Sequence, residues 1–188
     1  MDYRPTSFWK FTMASAFVVA MCGTLYARRQ ESAAPKPGAA EMEKVKFYVG
    51  EWDYTETYPK SPMVPNGGVN SGTYDSKLGP GGNSLINSFH SKGPVGDFEG
   101  LLIMTWDPKA GSYKQYIFGN NFPGCVEEDG KFVGDALEFR GAFDTGTAKM
   151  AMRNSTRVTG PNTLVSEEYV SVNGSPETLL VKVEAKKK

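Results

Sequence analysis

From Gly50 onward the chain is cut at short intervals by clusters of turn-forming residues: "PNGG", "GPGG", "SKGPVG", "DPKAG", "NNFPG", "DTG", "TGPN" and "VNGSP". Gly supplies backbone conformations closed to other residues, Pro fixes φ, and Asn and Asp bond back to their own backbone, so each cluster ends whatever element precedes it. Between them lie short segments of alternating character. In "EWDYTETY" the residues Trp52, Tyr54, Glu56 and Tyr58 fall on one face and Glu51, Asp53, Thr55 and Thr57 on the other, the period of an extended strand. The further candidates are "SGTYDSKL", "NSLINSFHS", "FEGLLIMTWD", "SYKQYIFG", "KFVGDALEFR", "AKMAMRNSTRV", "TLVSEEYVSV" and "ETLLVKVEA", nine strands in all. With no helical stretch among them, the pattern is all-antiparallel β. A sandwich and a closed barrel both accommodate it. The short connections suit an up-and-down barrel, because a Greek key needs a long crossing connection. The last strand alternates Leu179, Val181 and Val183 with Leu180, Lys182 and Glu184, and is long enough to pair with the first and close the sheet.

The regions that escape this pattern all precede Gly50. Arg4 and Lys10 lead into "FTMASAFVVAMCGTLYA", an apolar run of 17 residues, in the order of an export signal. Residues 1–27 are therefore read as a signal peptide, or as an N-terminal anchor if uncleaved, and the expected location is periplasmic or secreted. Residues 28–40, "RRQESAAPKPGAA", read as a flexible linker, and residues 41–188 as one β-barrel domain. At the start of that domain Met42, Val45 and Val49 recur at helical spacing, with Glu early and Lys late, which predicts a short helix leading into the first strand.

Charge and cysteine content narrow the function classes. Lys plus Arg number 21 and Asp plus Glu 21, with the signs interspersed, so nothing recommends a nucleic-acid surface. The basic end, Lys186 to Lys188, reads as a solvated tail. Beyond the apolar run only Cys125 remains, which excludes an internal disulfide and is expected as a half-buried apolar residue. His90 is the sole histidine, expected at the surface; the other reading of it is a haem ligand inside a barrel. One histidine and scattered carboxylates give no metal site and no cofactor.

The helix followed by Gly50-Glu51-Trp52 resembles the Gly-x-Trp opening of the lipocalin-like, or calycin, barrels, in which the tryptophan plugs the closed end. The segments "FYVGEWDYTETYPKSP", "KLGPGGNSL", "GDFEGLLIMTWDP", "YIFGNNFPG" and "GDALEFR" resemble a bacterial calycin-like exported family of unknown function. The resemblance implies a barrel with an interior cavity and brings no catalytic residues. It departs from lipocalins proper in lacking a Thr-Asp-Tyr loop and an Arg on the last strand to cover the tryptophan.

A small barrel can leave room for one ligand, and aromatics with a few polar groups are what such pockets present. The expected ligand-binding set is Trp52, Tyr54, Glu56, Trp106, Tyr116 and Phe118, around a small apolar molecule, with Trp52 at the closed end and the later aromatics along the walls. Glu56 shares the Trp52 face, so its carboxylate needs a partner, with Arg140, Arg153 and Arg157 as candidates. An enzyme is the alternative. Its acid–base pairs would be Asp97 with Glu99 or Glu167 with Glu168, yet no nucleophile elbow, phosphate loop or dinucleotide fingerprint accompanies them. A structural or partner-binding envelope protein is the third reading.

Overall fold

The computed structural model describes residues 38–188. The expected signal segment and most of the linker lie outside the described residues. Helix α1 (Ala39–Lys44) and a 3-10 turn (Lys46–Tyr48) lead into β1 (Gly50–Tyr58). Nine strands follow: β2 (Gly68–Leu78), β3 (Ser84–Gly93), β4 (Gly96–Asp107), β5 (Ser112–Gly119), β6 (Val126–Val133), β7 (Ala136–Asp144), β8 (Lys149–Gly160), β9 (Thr163–Val172) and β10 (Thr178–Lys187). All pairings are antiparallel between sequence neighbours, and β10 pairs with β1, so the sheet is a closed up-and-down barrel. Closure satisfies the backbone of both end strands and removes the edges an open sheet would expose.

The barrel has ten strands where the turn pattern predicts nine. The segment "KFVGDALEFR" is not one strand: Val133 pairs with Ala136 across Gly134 and Asp135, a two-residue hairpin. Gly134 has φ 63, open to glycine and strained for most other residues, and this reverses the chain in two residues. The strand before it, β6, takes up "VEED", and Cys125 just ahead of it is exposed rather than half-buried.

One end of the barrel is plugged from the N-terminal side. Met42 and Val45 are buried against Leu85, Met104, Tyr113, Leu137 and Phe139, and the Tyr113 hydroxyl donates to the Glu41 carbonyl at 2.9 Å. Trp52, fully buried, stacks on Tyr74 at 5.5 Å. Below it, Lys187 of β10 places its ammonium 5.3 Å from the Trp52 ring centroid and donates to the Phe47 carbonyl. The basic end is therefore not a solvated tail: Lys186 and Lys187 belong to β10, and Lys188 pairs with Asp53. A lysine on the last strand covers the tryptophan where an arginine is missing from the sequence.

The opposite end is tied by Asn70. Its side chain, 0% exposed, donates to the Gly96 carbonyl and accepts from the Val95 N–H, holding the β3–β4 turn against β2. On the outer wall, β1 presents Glu51, Asp53, Thr55 and Thr57, the inverse of the alternation a lipid-facing strand carries. Among the described residues no helix is long and apolar enough to cross a membrane.

Candidate functional site

Alternation decides which side chains reach the lumen, and each strand's phase is fixed by what it must bury. The lumen holds a cavity of about 220 Å³. Toward the plugged end its walls are apolar, made by Leu85, Leu102, Met104, Leu137, Phe139 and Leu164. Polar groups line the same space: Tyr54, Glu56, Asn87, Gln115, Asn154 and Ser166.

Some of these polar groups satisfy one another. Thr156 donates to Ser166 at 2.9 Å and Ser166 donates to Asn154 Oδ1 at 3.1 Å, a closed cluster between β8 and β9. Glu56 accepts from the buried Ser91 hydroxyl at 2.7 Å. Others have too few partners. Asn87 Oδ1 is buried without a hydrogen bond, and so is the hydroxyl of Ser76, which stands opposite Asn87 in the β2–β3 register.

Three carboxylates face inward: Glu56 on β1, Glu128 on β6 and Glu168 on β9. Glu128 is 3% exposed, and Gln115 Nε2 donates to its Oε2 at 3.0 Å. Burial pushes its carboxyl up to about 7, and the Gln115 bond offsets part of that rise. Glu168 is pushed up to about 8, by burial first and then by the charges of Glu128 and Glu56. Burial, followed by Glu56, also raises the phenols of Tyr54 and Tyr58 above their ordinary range, so both stay neutral hydroxyls.

Among the described residues no arginine compensates these acids. Arg140 and Arg153 point outward to Glu177, and Arg157 points outward to Asp135. The expected pairing of Glu56 with an arginine is thus replaced by the Ser91 hydroxyl. Among the described strand residues the one cation on an inward phase is Lys187, and its ammonium lies at the plugged end over Trp52 and Phe47.

The six expected site residues separate. Tyr54 and Glu56 line the cavity, and Trp52 lies beneath it as part of the plug. Trp106 has the inward phase but packs edge-on against Tyr113 at 5.0 Å, in the cluster under α1 and off the cavity wall. Tyr116 and Phe118 are not wall residues. On β5 the inward phase is Tyr113, Gln115 and Ile117, so Tyr116 and Phe118 face outward, Phe118 with 41% exposure. The residues that size-based reasoning missed are Asn87, Gln115 and Glu128.

The other candidates fall outside the lumen. His90 lies on the outer wall, its Nε2 2.9 Å from Asp97 Oδ1, so it cannot ligate a group held inside. Asp97 and Glu99 share that outer face. Glu167 and Glu168, being adjacent on a strand, point to opposite sides: Glu167 accepts from the Tyr169 hydroxyl outside and Glu168 faces the lumen. Among the described residues no group of three or more His, Cys, Asp or Glu side chains is arranged to hold a metal ion.

Solved structures share this architecture. The chain is similar to Rv2717c from M. tuberculosis, with a TM-score of 0.59, 12% identity, and coverage of 84% of this chain and 99% of the other. It is also similar to the S-type phycobiliprotein lyase CPES from Guillardia theta, with a TM-score of 0.51, 10% identity, and coverage of 84% and 99%. The likeness is one of fold. It establishes a lipocalin-like, antiparallel up-and-down barrel and leaves the chemistry to the residues of this chain. No protein-family profile matches the chain, and no curated protein matches it.

Proposed function

We propose that this protein is an exported small-molecule-binding barrel whose ligand, small and largely apolar in body, occupies the lumen. The observation that carries the reading is the cavity of about 220 Å³ between the plug and the Asn70-tied end. Protein interiors are packed as densely as organic crystals and leave few voids larger than a water, so a barrel serving only as a scaffold would fill this space. At roughly 30 Å³ per water it has room for about seven waters, or for one ring with a short chain. Export is supported by Arg4 and Lys10 ahead of the 17-residue apolar run.

Two measurements test the reading. Mass spectrometry of envelope-purified protein, with organic extraction, should find the chain shortened near Ala27 and a co-purifying small molecule. A titration of Trp fluorescence with small aromatic and aliphatic compounds should saturate, because Trp52 lies directly beneath the cavity. An intact chain in the cytosol rejects export. A lumen that neither retains nor takes up any compound leaves a structural barrel as the better account.

A further inference from the structure

The lumen holds hydrogen-bond acceptors that no group among the described residues satisfies. Glu56, Glu128 and Glu168 face inward, while the arginines on neighbouring strands are engaged outside and Lys187 is held under the plug. The neutral groups independently repeat this deficit. Asn87 Oδ1, on the cavity wall, is buried without a donor, and Ser76 across from it is 1% exposed with its hydroxyl unpaired. Glu128 has a bond to only one carboxylate oxygen. Buried polar atoms ordinarily find partners, and a buried charge left unpaired is the costlier exception. Glu56 and Asn87 line the same cavity, and the partner that Asn87 Oδ1 lacks is a donor that enters it.

Resting on the reading of the lumen as a binding site, we propose that its ligand is an organic cation, a protonated amine on a small apolar body. The ammonium would be held at Glu56, with Asn87 Oδ1 on the same cavity wall as its neutral acceptor.

A metal ion fits less well, because these carboxylates do not converge as a ligand set. An ammonium needs no such convergence: it donates to one carboxylate and to a neutral acceptor. The apolar wall from Leu85 to Phe139 takes the hydrocarbon body. An anionic ligand would add to the repulsion that already raises Glu168.

The test uses three probes of one shape and different charge: 2-phenylethylammonium, propylbenzene and 3-phenylpropanoate. They are titrated into the protein by calorimetry and ligand-observed NMR. The amine is expected to bind at least tenfold tighter than the hydrocarbon, with the carboxylate weakest. Glu56→Gln should collapse the gap between amine and hydrocarbon, the variant being checked for native circular dichroism. Equal or tighter binding of the hydrocarbon or the carboxylate overturns the amine while leaving a binding lumen standing. If none of the three binds, the lumen reading itself falls and the amine with it. The wild-type ranking decides the matter even where a variant fails to fold.

Discussion

The indole N–H of Trp52 donates to the Tyr48 carbonyl at 2.9 Å, joining the first strand to the turn that plugs the barrel. The bond satisfies a carbonyl at the end of the N-terminal helical segment, one of the groups a helix end leaves unpaired. Because Trp52 is fully buried, replacing it by Phe removes both ring volume and the partner of that carbonyl. Trp52→Phe is expected to cost about 2–4 kcal/mol in urea unfolding. Lys187→Ala, which removes the cation over the same ring, should cost less, about 1 kcal/mol.

Gly141 makes room for an inward acid. A Cβ at Gly141 would stand 2.7 Å from Glu128 Cγ and 2.8 Å from the Glu127 carbonyl. Gly141→Ala should therefore destabilise by about 1–3 kcal/mol through overpacking. In a Glu128→Ala background the cost should be smaller, since one of the two clashes is gone, and a double-mutant cycle by urea unfolding measures the difference. Strictly additive costs would show that Glu128 does not occupy this space.

Much of the fold was legible because alternation, turn clusters and short connections all point to one meander, and a final strand able to meet the first closes it. The missed hairpin at Gly134 shows the limit. Two residues between strands of matching alternation give too weak a break to notice beside the multi-residue clusters elsewhere. The site was less legible because size was weighed above phase. In "SYKQYIFG" the large Tyr116 and Phe118 share a face with Lys114, whose ammonium pairs with Glu127 and Asp129 on the outside. That lysine marks the solvent phase, and it places Gln115 inside. Glu128 and Glu168 break the usual rule that carboxyls stay at the surface, and a sequence shows no reason for them until their strands are seen to close into one barrel.

Tyr113 is the bolt between helix and barrel, its hydroxyl donating to the Glu41 carbonyl from 72 residues along the chain. Helix α1 has six residues, too few to persist on propensity alone, so it depends on such tertiary contacts. Tyr113→Phe keeps the ring and removes the bond. It should cost about 1 kcal/mol globally and speed amide exchange in α1 more than in β1. Uniform exchange rates across both elements would place the anchor elsewhere.

Stability should fall as pH rises, and Glu128 carries a definable share of the fall. Its carboxyl has an ordinary value of 4.5 and is raised to about 7 in the fold. It is faced by Gln115 from β5 and by the space over Gly141 on β7, and its own charge helps to raise Glu168 on β9. Below the unfolded value both states hold the proton and the fold carries no penalty. Between the two values the unfolded chain releases its proton while the fold retains it, so stability drops with each step of pH. Above about 7 the buried carboxylate is charged and the full penalty is present. The shift corresponds to about 3 kcal/mol at 1.36 kcal/mol per unit. Glu168, raised to about 8, extends the fall to higher pH. Urea unfolding at pH 5 and at pH 9 should show wild type clearly less stable at the higher value. Glu128→Gln keeps the shape and can still bond Gln115, so it should flatten the profile and exceed wild type at pH 9. A profile as steep in Glu128→Gln as in wild type would show that Glu128 is ionised at little cost within the barrel.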